Sequence, residues 1–191
     1  MGMPATIDPR YWTPDDILAL PADGKRYECI DGELLVNPSP SFPHQDVVLS
    51  FAVRLREYCG TSGSIGRVCV ASADVQLDGR SLVQPDIFVA APTPDGRPVR
   101  DWKDITALRL TIEVLSPSTA RYDRGLKRRH YQRARVEEYW IVDLEARLVE
   151  RWRPDDERPE ILAASLAWLP DGANEALVID LVALFTDALG E

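Results

Sequence analysis

What this sequence lacks narrows what it can be. It has only three cysteines, Cys29, Cys59 and Cys69, an odd number, widely spaced and with no CxxC pair. That pattern supports neither a disulfide framework nor a zinc site, and it points to buried free thiols in a reducing cytoplasm. No apolar run approaches the roughly 20 residues that cross a bilayer, so no membrane partner is expected. The opening residues, Met1-Gly2-Met3-Pro4-Ala5-Thr6, lack a basic region followed by an apolar core and fit a myristoylation signal poorly. Internal repeats and low-complexity tracts are absent too.

Basic charge is scarce overall, with a net charge of −9 over 191 residues. Its distribution matters more than its total. Between Arg121 and Arg135 stand seven basic residues and one acid, so that segment is +6 and the rest of the chain −15. Two readings fit the segment: a phosphate-contacting stripe, or a helix face paired to neighbouring acids. At 45% hydrophobic and 28% charged residues the composition is that of a globular protein. The length suits a single domain over residues 1–191.

Element signals are clear in several places. Thr13-Pro14-Asp15-Asp16 opens a short helix, with a capping hydroxyl, proline and acids in the first turn. Tyr27–Ile30 and Glu33–Val36 flank Asp31-Gly32, the signature of a tight hairpin. Val47, Val48, Phe51, Ala52, Leu55 and Tyr58 fall at helical spacing between Pro43 and Tyr58, and Gly60 follows the end. His44 lies in the first turn of that helix, where a capping or hydrogen-bonding role is the ordinary one. Strands are expected near 67–71 and 73–77. Leu82 to Ala90 reads as one further strand, its Pro85 implying an edge or a bulge. Ala91 to Asp104 reads as a surface loop.

The organising stretch runs from Leu110 to Asp143. A strand-like run with Glu113 at its centre is ended by Ser116-Pro117-Ser118-Thr119. A basic helix and a second strand, Glu138–Asp143, follow. Leu148–Trp152 gives another strand, Glu160–Trp168 one more, and Leu177–Leu189 a strand and a terminal helix. The pattern is mixed α/β, with a hairpin leading in and a strand–helix–strand unit at the centre.

The chemistry lies in two acids placed in apolar surroundings. An unpaired buried carboxylate costs several kcal/mol or more, so Asp86 and Glu113 need partners. Side by side they would offer oxygen ligands suited to Mg²⁺, which takes one or two carboxylates and prefers phosphate beyond them. Such an ion would polarise a phosphodiester. A lysine beside it would offset charge building on phosphorus, and Lys127 is the candidate among only three lysines. On a helix Asp123, Lys127 and Tyr131 share one face. Arg121, Arg124, Arg128 and Arg135 form a second stripe suited to phosphates along a nucleic-acid backbone.

Pro85-Asp86, Glu113-Val114-Leu115-Ser116-Pro117-Ser118-Thr119, Asp123, Lys127 and Glu138-Tyr139-Trp140-Ile141-Val142-Asp143 together resemble the Uma-type family of restriction-endonuclease relatives. That family is a branch of the PD-(D/E)XK nuclease superfamily. Tyr27–Leu34, Ser39-Pro40 and His44 match its N-terminal pattern, so the resemblance covers roughly residues 10 to 185. It implies a restriction-endonuclease-like mixed sheet flanked by helices, a divalent metal (Mg²⁺, with Mn²⁺ as a substitute) and DNA as substrate. By the superfamily pattern Asp86 and Glu113 are metal ligands, with the Val114 carbonyl a third. Glu28 is an accessory acid and Tyr131 a supporting hydroxyl. Two positions after Glu113, where the superfamily usually has lysine, this chain has Leu115, which implies that the lysine has moved to the helix as Lys127. Arg135 stands where the family more usually has glycine. A homodimer is the expected assembly, since cutting both strands takes two sites. Two alternatives stay open: a catalytically inactive nucleic-acid-binding or regulatory module on the same fold, and a hydrolase of a small phosphorylated substrate.

Overall fold

The computed structural model describes residues 10–60 and 64–190, and the reading of Met1 to Thr6 lies outside them. The first half of the chain forms α1 (Pro14–Leu18), β1 (Arg26–Ile30), β2 (Glu33–Asn37), α2 (Phe42–Cys59), β3 (Arg67–Val70), β4 (Val75–Asp78), β5 (Ser81–Val83) and β6 (Ile87–Ala90). After a 3-10 turn at Trp102–Asp104 comes β7 (Leu108–Val114). The basic segment is helical in three pieces: α3 (Ala120–Tyr122), a π-helical segment (Asp123–Lys127) and α4 (Arg128–Arg133). The chain closes with β8 (Glu138–Asp143), β9 (Leu148–Trp152), β10 (Glu160–Leu162), β11 (Ser165–Trp168), β12 (Leu177–Asp180) and α5 (Leu181–Leu189).

Local chemistry accounts for the first elements. Thr13 and Asp16 form a reciprocal capping box on α1. The β1–β2 hairpin turns through Asp31 (φ 49°) and Gly32 (φ 89°), both left-handed, as a primed turn requires. A side chain at Gly32 would also run into the Tyr11 ring.

A six-stranded sheet in the order β10-β9-β8-β7-β6-β3 is the centre of the molecule, with β7 and β8 parallel and its other pairs antiparallel. Alternation along its strands supplies both faces. Leu110, Ile112, Val114, Trp140 and Val142 point to one side, where they pack with Phe51 and Leu55 of α2 and Leu184 and Phe185 of α5. Phe88, Ile141 and Tyr139 point to the other, against Ile30, Leu35, Val83 and Tyr131. Each such side chain, once fully buried, contributes about 1.5–3 kcal/mol. A smaller sheet, β2-β1-β5-β4, covers this second face together with the basic helix, and β11 pairs with β12 apart from both. This is a mixed sheet flanked by helices with an N-terminal hairpin, the architecture that the resemblance implies.

Three expectations are corrected. Leu82 to Ala90 is not one strand with an edge or bulge; β5 and β6 belong to different sheets, and β6 lies inside its sheet between β7 and β3. Pro85 has no N–H to give to either ladder, and the chain crosses from one sheet to the other there. Glu160 to Trp168 likewise splits into β10 and β11, which pair in different sheets. Arg135 does not continue the helix: Ala134 caps it, and Arg135 is left-handed with φ 56°, the conformation that favours glycine at this place. The cysteines are all free, with Cys29 and Cys59 buried and Cys69 half-buried.

Candidate active site

The register of β6 on β7 pairs Ile87 with Ile112, so one step further sets Asp86 opposite Glu113. Glu113 occupies the β7 face that looks toward the smaller sheet, because its neighbours Ile112 and Val114 fill the opposite core. Asp86 and Glu113 line one cavity of about 520 Å³, walled by the Ser116–Thr119 turn and the N-terminal end of α2.

Lys127 enters this cavity from the π-helical segment. Its Nζ lies 2.9 Å from Glu113 Oε1, 2.9 Å from Glu28 Oε2 and 3.7 Å from Asp123 Oδ1. The Tyr131 hydroxyl donates to the same Glu113 oxygen at 3.1 Å. A single π turn within a longer helix is a recurrent feature of functional sites. Here the Arg128 N–H reaches the Asp123 carbonyl, five residues back. The residues expected to share a helix face do so: Asp123 faces the Lys127 ammonium, and Tyr131 donates to the same Glu113 oxygen that Lys127 meets. Glu28, fully buried on β1, also accepts from the Asn37 side chain and from the Gln84 N–H.

Asp86 is held by a different set. Its Oδ2 accepts from the Val114 N–H at 3.0 Å and lies 3.2 Å from His44 Nε2. Its Oδ1 is met by Arg26 at 3.3 Å. In an extended strand a residue's N–H and C=O leave by the same edge, so the Val114 carbonyl looks toward the Asp86 side.

The two acids are tuned apart. Burial raises the Asp86 carboxyl, but His44, the Val114 N–H and Lys127 outweigh it and hold Asp86 below the usual range. Burial pushes Glu113 well above that range; Lys127 opposes it, while Asp86, Asp123 and Glu28 add to it. Burial likewise raises Asp123, to about 6. Burial alone would lower the Lys127 ammonium, yet Glu113, Glu28 and Asp123 together raise it well above its ordinary value. Lys127 is therefore a fixed cation at neutral pH and not a base.

Among the described residues no three His, Cys, Asp or Glu side chains form a ready metal cage. Mg²⁺ does not need one, since it is commonly held by one or two carboxylates with water and phosphate. Charge supplies a test of fit. Glu28, Asp86, Glu113 and Asp123 bring four carboxylates, and Lys127 and Arg26 bring two fixed cations. Fully ionised, the cluster lacks two positive charges, the charge of one divalent cation. The hydrogen bonds to Glu113 both land on Oε1, which leaves Oε2 as the oxygen for such an ion. An oxygen-only donor set with this deficit fits Mg²⁺ or Mn²⁺.

The expected arginine stripe is dispersed. Arg124, at the cavity wall, is clamped by Glu150 and Asp143 at 2.7 and 2.8 Å. Arg128 stacks over Trp152 at 4.7 Å. Arg133 pairs with Asp31, and Arg135 with Asp155. Arg121 and Arg129 carry no ion pair among the described residues. Much of the basic helix is thus paired to neighbouring acids.

Sequence reasoning missed Arg26 and Asn37; His44 takes the hydrogen-bonding role expected of it, with Asp86 as partner. A signal existed for the first two: Arg26 and Glu28 share a face of β1, and the hairpin register sets Asn37 directly across from Arg26. Residue order names no partner for His44, whose contact with Asp86 depends on how α2 packs.

Fold and site together set two strand acids, Asp86 and Glu113, in one cavity with a lysine from the helix that follows the second acid. The family model described as "Uma2: Putative restriction endonuclease" matches residues 14–181, and the chain belongs to that family. Among solved structures, the chain is similar to a "putative nuclease belonging to DUF820" from Anabaena variabilis, at 22% identity and a TM-score of 0.74, with 93% of this chain and 99% of that one covered. No curated protein matches the chain.

Proposed function

We propose that this protein is a divalent-metal-dependent endonuclease that hydrolyses phosphodiester bonds in DNA. Membership of the Uma2 family and the nuclease designation of the Anabaena protein support the reaction class. The observation that carries the reading is Lys127 Nζ at 2.9 Å from Glu113, on the wall that Asp86 shares. With Leu115 in the usual lysine position, the helix brings an ammonium to the acid from another direction.

Asp86 and Glu113 would hold Mg²⁺ or Mn²⁺, with the Val114 carbonyl as a third oxygen. When bound, a divalent cation there supplies Lewis-acid polarisation and acidifies water. The chain's own groups do the rest. Lys127, permanently charged, offsets the negative charge that builds on the phosphoryl oxygens as the attacking and leaving oxygens line up. Glu28 and Asp123 fix that ammonium in place, and Tyr131 keeps Glu113 in one orientation. His44 and the Val114 N–H fix Asp86. Arg124, in the cavity wall, and Arg121, one turn before it, would meet flanking phosphates, while Arg128 and Arg135 lie farther along and would contribute to the field. A homodimer would present two such sites to two strands.

A plasmid-nicking assay in Mg²⁺ or Mn²⁺ tests this. Wild type is expected to nick, while Glu113→Ala and Lys127→Ala fall by 100-fold or more, on the order of the loss of one preorganised transition-state contact. A wild-type protein that shifts DNA in a salt-dependent way but never cuts it would support the inactive binding module instead. A protein that neither cuts nor binds would exclude both nucleic-acid readings.

A further inference from the structure

Arg26 is the one fixed cation on Asp86 whose role the proposed chemistry leaves open. It begins β1, directly across the hairpin from Asn37, and its side chain lies in the cavity wall, 21% exposed. A guanidinium carries five N–H donors. This one makes a single contact with Asp86, at 3.3 Å, and its buried Nε finds no partner among the described residues. A partly buried arginine is usually satisfied on several donors, and the planar fork suits a bidentate oxyanion. The arrangement is that of a group whose second partner arrives from outside.

The two oxygens of Asp86 are also used unequally. Oδ2 carries the contacts that hold the carboxylate in place, from the Val114 N–H and His44. Oδ1 carries Arg26 alone. Withdrawal of Arg26 would therefore free one ligand oxygen without loosening the acid. Once withdrawn, the guanidinium still lies in a low-dielectric wall and needs an anion. A phosphodiester entering the cavity is such an anion.

We propose that Arg26 covers Asp86 Oδ1 until a divalent cation takes that oxygen, and then contacts the phosphoryl group of the substrate. This rests on the nuclease reading above and adds to it a competitor for the metal and a further catalytic residue. It predicts opposite signs for two measurements. Mn²⁺ alone, titrated by calorimetry without nucleic acid, should bind Arg26→Gln roughly fivefold more tightly than wild type, the scale of one part-exposed ion pair removed. Nicking at saturating Mn²⁺ should fall about 100-fold in the same variant. Arg26→Lys, which keeps the charge without the fork, should lie between the two on both measurements. Cooperative thermal melts of both variants check that the fold is kept. If Arg26→Gln binds Mn²⁺ no more tightly, the covering role is wrong. If it binds more tightly yet nicks at the wild-type rate, the phosphate contact is wrong. In both cases an active wild type leaves the nuclease reading standing. If wild type neither binds Mn²⁺ nor nicks, the nuclease reading falls and this proposal falls with it.

Discussion

The two sheets that meet at the cavity contribute opposite things to it. The six-stranded sheet brings Asp86 and Glu113, set opposite each other by the β6–β7 register and surrounded by apolar strands. The smaller sheet brings Arg26, Glu28 and Asn37 from its hairpin, which hold and balance the charges there. The lesson is a division of labour. The acids of the proposed metal site sit on interior strands of the larger sheet, while groups that make their burial tolerable come from a separate layer. Lys127, on the helix between them, touches both through Glu113 and Glu28.

The sharpest way to break this balance is to remove the shared cation. Lys127→Met leaves Glu28, Glu113 and Asp123 buried without it, and a broken buried pair costs about 3–5 kcal/mol. Denaturant unfolding at pH 7 should show that loss. It should shrink as the pH falls and Glu113 and Asp123, both raised by burial, take up protons.

The pH dependence of the intact protein follows from Asp123. Its carboxyl titrates at about 6 in the fold against 3.8 when free. The folded chain therefore holds a proton that the unfolded chain has already lost between those values. That contribution to stability is fully present below about pH 4 and disappears as the pH rises through 6, amounting to about 3 kcal/mol at most. Asp123→Asn should flatten the stability profile over that window, read by denaturant midpoints from pH 4 to 7. A slope unchanged by the substitution would remove Asp123 as its source.

A smaller effect separates the two layers directly. Burial opposes the charged form of Glu113, so Glu113→Gln should leave stability at pH 7 unchanged or raise it by about 1 kcal/mol while abolishing nicking. Glu28 accepts from Lys127, Asn37 and the Gln84 backbone. Glu28→Gln should cost about 2 kcal/mol and retain part of the activity. The reverse pattern, with Glu28 dispensable for stability and Glu113 essential to it, would undo the division of labour.

Much of this could be read from residue order, and the parts that could not share a cause. The Asp31-Gly32 hairpin, the amphipathic α2 and the strand–helix–strand unit all declare themselves through local periodicity and turn chemistry. Asp86, Glu113 and Lys127 could be paired because acids in apolar strands demand partners, and helical spacing carries Lys127 together with Asp123 and Tyr131. The crossing at Pro85 was hidden because a missing N–H fits an edge strand as well as a change of sheet. The ion pairs of the basic helix were hidden because helical spacing describes a face but not the acids of β8 and β9, Asp143 and Glu150, that meet Arg124. Arg26 and His44 reach Asp86 from elements 60 and 42 residues away in the chain, and only packing brings them there.

The central claim is that an ammonium beside Glu113 defines the site, whichever element carries it. Leu115 offers the most direct test, since it lies two residues beyond Glu113, on the same strand face, and lines the cavity. In Mn²⁺-dependent plasmid nicking, Lys127→Met should be inactive, and Lys127→Met with Leu115→Lys should regain measurable cleavage. Wild-type nicking by Lys127→Met alone, or no cleavage by a double variant that still melts cooperatively, would contradict the account.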